Sequence, residues 1–111
     1  MLTKEVLRQA YDLLSVTEPF RRWNMPAHDD IKFVVSRERS DVTGYYINRN
    51  GQHEIGVSER WVRSTITLLA TMAHEMIHLH QRRTCMETRL QHNRAWHLLA
   101  KRVSQHHGFD P

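Results

Sequence analysis

The chain turns on one run, Leu68-Leu69-Ala70-Thr71-Met72-Ala73-His74-Glu75-Met76-Ile77-His78-Leu79-His80. It spells H-E-x-x-H inside an apolar run that suits a helix. On a helix, residues four apart are offset by about 40° and rise about 6 Å, so His74 and His78 stand one above the other. Two imidazoles so placed can share one zinc ion, and Glu75, about 100° around from His74, is set to act as general base on a water there. Random placement of the chain's nine histidines and its glutamates gives about 0.04 such matches, so accident is a poor account. The plainer reading is a buried helix whose histidines pack or cap. Leu68, Leu69, Met72, Met76 and Leu79 make the helix apolar on most sides, which marks it as central and buried. A metal site needs such a rigid support.

Working outward, residues from about 3 to 17 read as an amphipathic helix, with Leu2, Val6, Ala10, Leu13 and Leu14 at helical spacing and Thr3 as its cap. Glu18 precedes Pro19, which disfavours further helix, and Phe20 and Trp23 in the loop to Pro26 are expected to fold back onto the core. Ile31 to Ser36 alternates as a strand, with Ile31, Phe33 and Val35 on one face. Gly44 to Asn48 is a second strand, Asn50-Gly51 is a type I′ hairpin signal, and His53 to Ser58 returns as a third. Ser58 or Ser64 can cap the motif helix, which runs to about Arg82. Thr84-Cys85-Met86-Glu87 fits a capping box, so a turn is expected there. The last helix carries Trp96, Leu99, Ala100 and Val103 and ends at His107-Gly108. The expected fold class is α+β: an N-terminal helix, a small three-stranded antiparallel sheet, the motif helix and a C-terminal helix, in one domain spanning 1–111.

The length suits one modest core, and no run approaches the roughly 18 apolar residues of a membrane helix. The amino terminus has an early acid and no apolar segment of the secretory kind. A single cysteine, Cys85, excludes an internal disulfide and points to a reducing compartment, so a cytoplasmic location is expected; separately, the chain is expected to be a monomer. The net charge of +4 is compatible with loose nucleic-acid contact. The excess lies in scattered pairs (Arg21-Arg22, Arg37/Arg39, Arg60/Arg63, Arg82-Arg83, Lys101-Arg102), which reads more readily as solvated surface than as a docking stripe.

A catalytic zinc site takes three protein ligands and leaves a fourth position open. Gln81 and Thr84 stand where a metzincin would carry its glycine and third histidine, so that subclass is excluded. His92, at the opening of the last helix, leads as third ligand because that helix can turn back over the site. His97, about 140° around from His92, Glu87 and Cys85 remain alternatives. Glu87 is also explained as a capping residue, and His106 and His107 as exposed helix-end residues. His80 is expected to point away from the metal to the surface.

Ser36, Gly44, Ile55-Gly56-Val57-Ser58, the run Leu69 to His78 and His92-x-x-x-Trp96 together resemble the SprT-like metallopeptidase family, which includes the Spartan proteases. The resemblance covers residues 30 to 105. It implies a minimal zinc endopeptidase with His74, His78 and His92 as ligands and Glu75 as base, acting on proteins bound or crosslinked to DNA. Asn93 stands where the family has glycine after the third histidine, and Trp96 where it has Phe or Tyr. The cysteine-ligated zinc ribbon that follows the core in many bacterial relatives is not expected here. By analogy with other zinc peptidases an oxyanion donor is expected, with Tyr45, Tyr46 and His53 as candidates beside their plainer reading as cross-strand packing. An extended substrate is expected to pair with a sheet edge, the His53–Ser58 strand being the leading choice. The rival readings are a small regulatory zinc peptidase similar to the ImmA/IrrE type, independent of DNA, and a non-catalytic zinc-stabilised binding module.

Overall fold

The computed structural model describes residues 1–38 and 41–111; Arg39, counted above in one of the arginine pairs, lies outside the described residues. Helix α1 is Lys4–Ser15, capped by the Thr3 hydroxyl, which accepts from the Val6 amide. Its buried face is Leu7, Ala10, Tyr11 and Leu14, while Leu13 is exposed. The face is therefore rotated from the one expected. Tyr11, which an apolar count passes over, packs its ring edge-on against Phe33 and donates its hydroxyl to the Pro26 carbonyl. Two short 3-10 turns, Phe20–Trp23 and His28–Asp30, lead to the sheet, and Phe20 is fully buried as expected.

The sheet contains β1 (Ile31–Ser36), β2 (Gly44–Arg49) and β3 (Gln52–Ser58) in the order β1-β3-β2. It is mixed, which corrects the antiparallel expectation: β2 pairs antiparallel with β3, but β1 runs parallel to it. The hairpin at Asn50-Gly51, both with positive φ as a type I′ turn requires, binds only β2 to β3. Nothing so local fixes the partner of β1. Glu54, Ile55, Gly56, Val57 and Ser58 are all buried, so β3 needs a neighbour on both sides and β1 takes the open one. Substrate pairing along His53–Ser58 is thereby excluded, because both edges of β3 are already used.

Helix α2 is Thr65–Arg83, with Ser64 as its cap, and α3 is Arg94–His107, ended by Gly108 in the left-handed region. The α2 helix packs against α1, β2, β3 and α3, which makes it the central element. Met72, Ala73, Met76, Ile77 and Leu79 on it are fully buried. Thr84 is no helix start: it is the C-cap of α2, its hydroxyl donating to the His80 carbonyl, while Glu87 forms an ion pair with Arg82. The cap of α3 is Asn93. Among the described residues, no helix is long and apolar enough to cross a membrane.

Candidate metal centre

Helical spacing on α2 brings the Nε2 atoms of His74 and His78 to 3.3 Å. The segment before α3 returns over that face and places Nε2 of His92 3.1 Å from His74 and 3.2 Å from His78. These three form the one His/Cys/Asp/Glu group among the described residues that could hold a metal ion. Zinc–nitrogen bonds of about 2.0–2.1 Å set the edge of a tetrahedral site at about 3.3 Å, so the triangle fits three ligands of one zinc ion. Burial first, then His92, lowers the pKa of His74, partly countered by a hydrogen bond to the main chain of Pro111. His78 is lowered to about 4 by burial and its two neighbours. Both imidazoles are therefore neutral near pH 7 and keep the lone pairs that a metal needs.

Glu75 is 4% exposed, and burial alone raises its carboxyl to about 8. It lies against β2 at Gly44. A Cβ there would stand 3.3 Å from the Glu75 Oε2 and only 2.8 Å from both the Gly56 carbonyl and Thr71 Cγ2. Glycine at 44 thus lets β2 and α2 approach closely. Trp96, 5% exposed, backs all three imidazoles, with ring centroids 4.8, 5.7 and 4.5 Å from His74, His78 and His92. Above this floor opens a cleft of about 560 Å³, walled by residues 41–47 on one side and by Glu87, Thr88, Gln91 and His92 on the other.

Of the oxyanion candidates, Tyr46 is on the α2 face of β2 and lines the cleft, its hydroxyl 2.8 Å from Nδ1 of His53. His53 reaches the cleft only through it. Tyr45 points to the other face, covers Gly56, and donates to Glu54 at 2.6 Å; burial and that bond push its phenol up to about 12. The other ligand candidates stay outside the triad. His97 is exposed and stacks edge-on against Trp96, Cys85 is exposed, and Glu87 is committed to Arg82.

Two histidines expected at the surface are not free there. His80 stacks face to face on Trp23, with centroids 4.3 Å apart, and His107 meets the Thr17 hydroxyl at 3.0 Å between Phe20 and Phe109. His106 is exposed as expected. Sequence reasoning missed Gln81 and the structural part of Asn93. An asparagine ahead of Arg94-Ala95-Trp96 is a legible cap signal, whereas Gln81 carries none.

A mixed α+β fold in which a central helix and a returning segment aim three imidazoles at one point, beside a buried carboxyl, defines a domain that can hold a metal ion. The chain belongs to the SprT-like family: that family's profile matches residues 10–111, nearly the whole chain, and its domains are of the zinc-metallopeptidase type. A search of curated proteins finds no match.

Proposed function

We propose that the chain is a zinc-dependent endopeptidase that cuts extended protein segments. The observation that carries this reading is the triangle of Nε2 atoms, 3.1–3.3 Å on a side, beside the buried Glu75 in an open cleft. His74, His78 and His92 hold the ion, which when bound polarises a carbonyl and acidifies a water. Glu75 takes the proton of the attacking water on its carboxylate and returns it to the leaving amide nitrogen. Burial raises that carboxyl in the metal-free chain, and the positive ion beside it would act in the opposite direction, favouring the carboxylate that a base needs.

The substrate backbone pairs with the free edge of β2, the strand that walls the cleft. Tyr46, the oxyanion candidate that faces the cleft, donates to the carbonyl oxygen once its bond to His53 is released. The finer reading is that the proteins cut are bound to DNA. It rests on the family and on the net charge of +4. A second cavity, lined by Glu18, Pro19, Arg22, Trp23, Arg102, Gln105 and His106, offers Arg102 beside an indole to a single strand, Arg22 being paired with Glu18.

The test is cleavage of a DNA-binding protein by the zinc-loaded chain, with and without single-stranded DNA. Cleavage stimulated by DNA supports the full reading. Cleavage indifferent to DNA keeps the peptidase and removes the DNA partner, and no cleavage by a zinc-loaded chain overturns the proposal.

A further inference from the structure

We infer that Asn93, tied to Gln81 of α2, is the positioning residue that holds His92 in the histidine triangle; this rests on the zinc reading above. His92 comes from a segment with little to hold it. Between α2 and α3 the chain forms no helix or strand, and every residue from Thr84 to His92 is exposed. Yet the His92 Nε2 must stay 3.1–3.2 Å from two atoms fixed on the most buried helix. Among the described residues of that segment, Asn93 is the buried one.

Its side-chain amide is used to capacity. Oδ1 accepts from the Trp96 amide at 2.9 Å, which caps α3, and from Gln81 Nε2 at 3.0 Å. Nδ2 donates to the Met86 carbonyl at 3.1 Å and to the Thr88 hydroxyl at 3.2 Å. Gln81, 1% exposed, follows His78 by three residues and so lies on the same side of α2. One side chain therefore joins the helix bearing two imidazoles, the segment that bears the third, and the helix that carries the Trp96 ring behind them. The hub is next to His92 in sequence, so any slack in it moves that imidazole directly.

The experiment measures zinc affinity by competition with a chromophoric chelator, and the visible spectrum of the cobalt(II)-loaded protein. Wild type is compared with Gln81→Ala, Asn93→Ala and Asn93→Asp, and the helicity of each metal-free protein is followed by circular dichroism. Asn93→Asp keeps the cap and the acceptor for Gln81 but loses both donated bonds. Gln81→Ala leaves the cap of α3 untouched, so it remains informative if Asn93→Ala fails to fold. The expected result is zinc affinity weakened roughly 10- to 100-fold in Gln81→Ala and Asn93→Asp, with weaker cobalt bands and unchanged helicity. Affinities within about two-fold of wild type and identical cobalt spectra overturn the inference. A wild-type chain that binds no zinc overturns instead the reading on which it rests.

Discussion

At the scale of single residues, Glu75 has a cost that can be measured without any substrate. Its carboxyl is raised from 4.5 to about 8 in the fold, so the native state favours the protonated form. Its contribution to stability is present below pH 4.5 and is lost as pH rises towards 8. Glu75→Gln removes that dependence. The metal-free variant should therefore be more stable than metal-free wild type at pH 8, by on the order of a few kcal/mol, with the two converging near pH 4.5. Denaturant unfolding at both pH values checks this; His74 and His78 titrate in both proteins and cancel in the difference. Gly44→Ala should destabilise the protein by about 1–3 kcal/mol through overpacking between Gly56 and Thr71, read as a lowered midpoint in the same experiment. The spacing of His74, Glu75 and His78 was fully legible because helical geometry is local. His92 was legible as the leading choice among several. Gln81 and the stacking of His80 on Trp23 were not, because only the packed structure brings residues so far apart in sequence into contact.

At the scale of elements, the helices and strands came out where periodicity put them, with Thr3, Ser64 and Gly108 as punctuation, although the Thr84–Glu87 pattern caps no helix start. The direction of β1, expected antiparallel, did not come out so. A hairpin turn is written in two residues, but the pairing of β1 with β3 depends on which strand the core must cover, and no short motif encodes that. The correction matters for the proposed chemistry, since it leaves β2, and not β3, with an edge on which a substrate would pair. If β2 pairs with the substrate backbone, N-methylation of an amide flanking the scissile bond of a peptide substrate should cut the cleavage rate at least ten-fold. The same change several residues away should be nearly silent. Cleavage insensitive to N-methylation at every position would contradict the assignment of the edge.

At the scale of the whole molecule, the metal is expected to be part of the stability of the fold, because its ligands come from a central helix and from an exposed segment with little packing of its own. Free zinc at about 1,000 times its dissociation constant adds about 4 kcal/mol to the folded state. Thermal unfolding should thus shift upward with zinc and back with a chelator, and His92→Ala should shrink the shift; an unaltered melting temperature would argue against the site. The basic charge is dispersed, as the sequence indicated. Arg21 and Arg22 meet Glu18, Arg37 meets Glu59 and Arg82 meets Glu87, surface pairs that solvent and salt screen. Any hold on DNA through such a surface should be weak and fall steeply with salt. The most direct test of the central claim is a time course of protein cleavage by wild type and Glu75→Gln, each first shown to carry one zinc ion per chain. The account predicts cleavage by wild type and a loss of at least 100-fold in the variant at equal zinc content; equal cleavage by both, or none by either, would contradict it.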